Sequence, residues 1–454
     1  MASTADKLAA NINFGVLGKA TELKKRLWFV IGALLVYRLG TYIPLPGIDS
    51  RALAEMFRQQ GGGLLDMFNM FSGGSLQRMT IFALSIMPYI TVSIVVQLMT
   101  ITTPSLAALR KEGEAGRRKL QQITRYGTVL MASAQAYGIS SFLESMSNVV
   151  LDPGMMFRLT TMVTLVGGTM FLMWLGEQIT QRGIGNGISL IIFTGIVAGL
   201  PHALATTLEL GRTGEMAAPL ILGFLALAVI LITTIVFFER AQRRILVQYP
   251  KRQMGNKLIS GENSHLPLKL NTAGVLPPIF ASSLLLAPAT LAGFMSQNSA
   301  NGGAEGADSS GWADFVTLHL SHGRPMYIVL FVLCVFFFCF FYAKHGPQFN
   351  PKETAENLKK NGGFIPGIRP GKSTAKYLDY VLTRLTLVGA IYLSVICTIP
   401  ELLIAKYSVP FYLGGTSLLI VVNVTMDTVA QIHSHLIAHQ YEGLIRKAKL
   451  KGRR

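Results

Sequence analysis

The sequence predicts an all-α polytopic membrane protein of ten transmembrane helices, and three observations predict it. Half of the 454 residues are apolar and only 14% are charged, with a mean hydropathy of +0.44, a balance that belongs in lipid. The apolar residues gather into ten runs, each near the roughly 20 residues that a helix needs to cross about 30 Å of hydrocarbon. The basic residues then sort to one side of those runs.

In chain order the expected spans are 27–43, 76–100, 124–143, 155–175, 184–204, 216–238, 272–295, 326–343, 382–400 and 408–428. Runs such as LILGFLALAVILITTIVFF (220–238) are continuously apolar, without the alternation of lipid-facing barrel strands, so helices are expected. About two dozen mixed polar residues precede the first span and no small-residue cleavage site follows it, so no removable signal peptide is expected. Cys334, Cys339 and Cys397 fall inside apolar runs, which suits packed or lipid-facing thiols better than a disulfide framework or a zinc site.

Between the first two spans lies GGGLLDMFNMFSGG (61–74), an apolar patch bracketed by glycines. Its eight or so apolar residues would extend only about 12 Å as a helix, so it is expected to be interfacial, re-entrant or packed inside the bundle. An amphipathic surface turn is the plainer alternative. Pro88 lies halfway along expected span two and is expected to kink it. Span seven, with Pro277, Pro278, Pro288 and the small pair Ser282 and Ser283, also looks built to bend or separate.

Ten spans place both termini on one side. Of the 41 Lys and Arg residues, 32 fall there and 7 on the other, counting Arg78, Arg125 and Arg158 at span edges to the adjoining side and leaving Arg38 and Arg384 inside spans. By the positive-inside rule both termini are cytoplasmic, which in a bacterium means the inner membrane. The same asymmetry and attraction to anionic phospholipid headgroups account for the net charge of +18 without a nucleic-acid ligand. The cytosolic segments 239–270 and 344–381 are nevertheless far longer than the usual helix connection of about 8 residues, and their basic, aromatic and Gly-Pro character suits docking to a phosphate-rich or acidic surface.

Several chemistries are unsupported. Ionisable groups at mid-membrane depth are scarce: Arg38, Glu177, Arg384 and Asp427 lie toward span ends, where snorkelling is expected, and a coupled transporter for a small solute, the alternative reading, needs more of them. GIRPGKS (367–373) has three residues between its glycines where a phosphate loop needs four, and RGIGNGIS (182–189) opens a span rather than following a strand. His433, His435 and His439 are expected to be solvated, and no Ser, His and Asp set shares a depth. Neither enzyme chemistry nor a cofactor is expected.

From about residue 20 to 450 the sequence resembles the SecY family, the channel subunit of the bacterial Sec protein translocase. The resemblance rests on YIPLPGID (42–49), MFNMFSGGSLQRMTIFALSIMPYI (67–90), KEGEAGRRK (111–119), TRYGT (124–128), GTMFLMWLGEQIT (168–180), RGIGNGIS, ERAQRRI, GFIPGIRPG (363–371) and PFYLGGTSLLIVV (410–422). It implies two inverted five-helix halves, 1–205 and 206–454, around an hourglass pore. It also implies a plug at 61–74, including Leu64, Leu65, Met67, Phe68, Asn69, Met70 and Phe71, and a lateral gate between spans two and seven.

Carried over residue by residue, the resemblance implies a pore ring of Ile86, Ile90, Ile192, Ile279, Thr416 and Ile420. Such a ring of β-branched side chains would dewet yet deform around a passing chain. Pro88, Gln97, Gln135, Asn271, Pro277, Ser282 and Ser283 become gate residues, the amides being candidates for hydrogen bonds that hold it shut. Arg243, Arg244, Lys251, Arg252 and Arg369 become cytosolic docking residues for the SecA motor ATPase or a ribosome with its nascent chain. Residues 255–257 (GNK) and 343–348 (AKHGPQ) depart from the family pattern in basicity and polarity. The implied partners also include SecE, SecG and preproteins bearing signal sequences, and the implied function is a passive pore driven from outside.

Overall fold

A computed structural model describes residues 21–49, 52, 53, 55, 69, 72–145, 149–214, 217–250, 252–254, 257–259, 263–285, 324–345, 349–407 and 414–451. Twelve helices are found among them. They are α1 (Thr21–Gly40), α2 (Met87–Thr102), α3 (Pro104–Lys111), α4 (Glu114–Ser145), α5 (Met155–Arg182), α6 (Gly187–Arg212), α7 (Ala218–Arg240), α8 (Leu276–Leu285), α9 (Pro325–His345), α10 (Pro351–Lys360), α11 (Lys372–Tyr407) and α12 (Gly415–Lys451). Every expected span contains one of these helices. By length and composition α5, α6, α7, α9, α11 and α12 are long and apolar enough to cross a membrane.

Span two differs from its expected form. Helix begins only at Met87, and residues 72–86 run as successive turns with Met79 and Ser85 at positive φ. The backbone of this stretch is engaged elsewhere: Leu45 N donates to Met79 O (2.9 Å) and Ile81 N to Ile43 O (3.1 Å), tying it to YIPLPGID. Carbonyls and amides held across the chain cannot close i to i−4 bonds. Pro88 therefore occupies the first turn of α2, where its missing N–H costs nothing, and introduces no kink.

The core is one cluster drawing on α1, α2, α5, α6, α7, α8, α9, α11 and α12, with a smaller one where the 72–86 turns meet α4 and α5. Within the long segment 239–270, described residues form antiparallel ribbon. Strands β1 (Gln242–Gln248) and β4 (Asn263–Lys269) pair along their length, with β2 (Arg252–Met254) and β3 (Lys257–Ile259) paired between them. Ile245 and Val247 alternate with exposed or partly exposed neighbours, which gives the ribbon one apolar face.

Candidate functional site

RGIGNGIS acquires a structural meaning at the start of α6. Gly183 terminates α5, Gly185 takes φ +90°, and the Asn186 side chain caps α6 by accepting from Ile188 N (3.1 Å). Gly187 N donates to Thr180 Oγ1 (2.9 Å), and α6 starts hard against the backbone of α5. This sets Ile192 one turn into the core. α2 contributes Ile90 and, at its cap, Ile86; α8 contributes Ile279; α12 contributes Thr416 and Ile420.

All six are buried, from 0% exposure at Ile86 and Ile420 to 6% at Ile279, and the five isoleucines belong to the single large cluster. Residues scattered over more than three hundred positions thus meet in one apolar core. Gly415 lets α12 reach it, since a Cβ there would lie 2.2 Å from the Ile396 carbonyl oxygen of α11.

The amide side chains singled out in the sequence do not bond to one another. Gln97 accepts the hydroxyl proton of Tyr342 on α9 and donates to Ser93 (3.2 Å). Asn271, just before α8, donates to Glu239 Oε1 (2.7 Å) and to Gly274 O (3.1 Å). Gln135 is buried in α4 with its Oε1 unpartnered among the described residues. Ser282 Oγ donates to Ile279 O (2.9 Å), while Ser283 Oγ is buried without a partner among the described residues. Pro277 lies in the first turn of α8, where it is tolerated as Pro88 is in α2.

Sequence reasoning missed Glu239, whose carboxylate accepts from both Asn271 and Asn423 (2.9 Å) and so joins the end of α7, the approach to α8 and the first turns of α12. Two amides in or beside apolar runs, each needing a partner, were the available signal. Snorkelling is also wrong for one of the four charges. Glu177 is buried and ion-paired with Arg125 of α4, with Gln121 donating at 2.8 Å, because a carboxylate facing a helix neighbour is better paired than stretched to water. Arg38, partly exposed, donates to Gly73 O (3.1 Å) and to the exposed Tyr42 Oη (3.1 Å). Arg384, over the Tyr380 ring at 4.6 Å, and Asp427 remain exposed.

Of the half-length segment, Leu64, Leu65, Met67, Phe68, Met70 and Phe71 lie outside the described residues. Asn69 is described, helical and buried. Its carbonyl accepts from Gly74 N (2.8 Å) with Gly73 at φ +66°, and its Oδ1 accepts from Gln77 N (3.0 Å). Arg38 is bonded to the Gly73 carbonyl. Arg78 stacks on Tyr42 at 4.5 Å.

A family model described as SecY matches residues 80–429, most of the chain. The chain belongs to the SecY family. The protein translocase subunit SecY of Vibrio cholerae is 57% identical over 433 residues, covering 95% of this chain and 96% of that one. A solved SecY channel, whose plug domain is described as stabilising the closed state and maintaining a membrane seal, superposes with a TM-score of 0.61 at 18% identity, over 91% of this chain and 92% of that one. Sec61 in the canine ribosome-channel complex gives a TM-score of 0.57 at 16% identity over the same shares. At these identities the two structures show the SecY fold of ten spans, and each span expected here overlaps a helix among the described residues.

The residues of the two long loops of this SecY-family chain stand on one platform. Gln248, at the end of β1, exchanges two backbone hydrogen bonds with Phe364 (2.9 Å each), joining the two long loops. Ile245, Leu268, Ala355, Ile365, Leu378, Val381 and Leu385 form its apolar core. Asn350 caps α10 by accepting from Lys352 N (3.2 Å). Arg243, Arg244 and Arg369 are all exposed on this platform, Arg369 on a turn braced by Thr374 Oγ1 donating to its carbonyl (3.0 Å) and flanked by Gly367 and Gly371 at positive φ. Lys251 lies outside the described residues, as does the side chain of Arg252, which occupies β2.

Proposed function

We propose that this chain is the central pore subunit of a Sec translocon, a passive channel that passes unfolded secretory polypeptides outward across the bacterial inner membrane and releases transmembrane segments sideways into lipid. The observation that carries this reading is the convergence of five isoleucines and Thr416, from four helices of a SecY-family chain, in one buried core. Branched apolar side chains around a constriction exclude water and ions yet make no sequence-specific bond to a chain passing between them. The halves 1–205 and 206–454 move apart along a gate between spans two and seven, and the segment 61–74 closes the outer side. Both termini face the cytoplasm.

The driving force comes from outside the chain, from the SecA ATPase or from translation. The exposed, braced guanidinium groups of the cytosolic platform support docking of either a motor protein or a ribosome with its nascent chain, and anionic lipid headgroups would lie against the basic side. SecE and SecG complete the membrane complex, and signal-sequence-bearing preproteins are the substrates. Replacing Ile279 by cysteine and offering a stalled secretory polypeptide, in membranes containing the motor, is expected to give a crosslink that depends on the signal sequence. Normal insertion with no crosslink there, or at a cysteine replacing Ile86, would refute the pore.

Docking has its own test. Arg369→Glu places a carboxylate on a rigid turn that presents one fork-shaped cation, so motor-driven translocation in reconstituted vesicles should fall by about tenfold or more while the complex assembles normally. Wild-type rates would remove Arg369 from the docking surface.

A further inference from the structure

The two ring-bearing helices in the second half of the chain, α8 and α12, are tied to one oxygen atom. Glu239 Oε1, at the end of α7, accepts from Asn271 Nδ2 at 2.7 Å and from Asn423 Nδ2 at 2.9 Å. Asn271 opens the elbow that leads into α8, and Ile279 stands in the first turn of that helix. Asn423 follows Ile420 on α12 by one turn. Both amides are buried, at 4% exposure each.

The base of this tie is fixed. Asn271 Oδ1 accepts from Gly274 N (3.1 Å) while Nδ2 also donates to Gly274 O (3.1 Å), so the amide cannot turn over, and Gly274 at φ +67° closes the elbow. Leu270 N donates to Ala241 O (3.0 Å), which holds the elbow against the end of α7. Gly389 of α11 backs it, since a Cβ there would lie 3.2 Å from Leu270 O and 3.6 Å from Asn271 Cα. Phe238, beside Glu239, stacks on Tyr392 of α11 with centroids 4.3 Å apart. With α7, α11 and the elbow locked together, what the carboxylate sets is the place of α12 relative to α8.

We propose that Glu239 is the positioning residue of the constriction, fixing the spacing between Ile279 and the Thr416–Ile420 turn. The inference rests on the ring reading above and adds the residue that places three of its six members. Apolar packing between helices is non-directional, whereas two hydrogen bonds to one oxygen define a distance. A dewetted ring needs that definition, because a gap between neighbouring side chains admits water where contact excludes it. Bound in this way, α8 and α12 close as one jaw on Ile86, Ile90 and Ile192.

The experiment reads the resting conductance of the complete complex in planar bilayers, without motor or substrate, normalised to the channels reconstituted. Glu239→Leu removes the acceptor of both bonds and should raise conductance about fivefold. Glu239→Gln retains a carbonyl oxygen where Oε1 stands and should stay within about twofold of wild type. Asn423→Leu cuts the tie to α12 alone and should leak as Glu239→Leu does, with no further rise in the double variant, since both remove one linkage. It also carries the test should Glu239→Leu fail to assemble. Leu231→Ala, on the buried side of the same α7, lowers the thermal midpoint by opening a cavity and should leave conductance unchanged.

Wild-type conductance in both leucine variants, or a leak in Leu231→Ala as large as theirs, would overturn the positioning role. Ile420→Asn in the same bilayers keeps the two readings apart. A leak there beside dry leucine variants discards the role of Glu239 and keeps the ring, whereas no leak in any of them discards both.

Discussion

Gly187→Ala should destabilise the complex by about 3 kcal/mol, more than any exposed substitution, and lower the amount of folded translocon recovered from membranes. A Cβ at this position would lie 2.0 Å from the Gly176 carbonyl oxygen and 2.8 Å from both Gly176 C and Ile179 Cβ. Two of those atoms are backbone of α5 and the third is the rigid branch point of an isoleucine. None can swing away. Relief would require α6 to withdraw from α5, which breaks the Gly187 N to Thr180 Oγ1 bond and carries Ile192 out of the core. The control lies on the same helix: Gly199 has open space where its Cβ would be, so Gly199→Ala should be neutral or mildly stabilising through helix propensity. Thermal unfolding of the purified complex compares the two, and equal midpoints would refute the close-approach account of RGIGNGIS.

That motif shows what a sequence can and cannot disclose. Its position at the opening of a span was legible from hydropathy, whereas the reason for its glycines needed the facing helix. Span two shows the complementary failure. Phe82, Ala83, Leu84 and Ile86 are all buried, as their apolarity demands, but they are buried in turns, because hydropathy reports environment and the backbone conformation was set by bonds to residues 43 and 45. The ring isoleucines came from family resemblance, since any one of them alone reads as ordinary core. Glu239 escaped because it stands at the border of an apolar run, and its partners lie 32 and 184 positions away. The union of the two long loops through Gln248 and Phe364 likewise has no local signature, so two basic segments looked like separate sites.

Ile420→Asn should have the largest effect on function of any single change in the ring. Ile420 has no exposure at all, and it stands on α12 one turn after Thr416, so an amide here enters a fully buried part of the core. Unpaired, that amide would cost about 2 kcal/mol, and the cheapest remedy is a water molecule or a polar backbone group drawn in from the pore axis. Each remedy wets the constriction, and a wetted ring lowers the barrier to ions and to the first polar residues of a translocating chain together. Resting conductance in planar bilayers should therefore rise, and export of a precursor with a defective signal should rise with it, by about tenfold if most of the desolvation cost is taken from the closed state. Ile420→Val, which keeps the β-branch and loses one methylene, should change neither by more than about twofold. A dry, wild-type conductance for the asparagine variant, in a complex that still assembles, would mean that Ile420 is core packing and that the seal lies elsewhere along the axis.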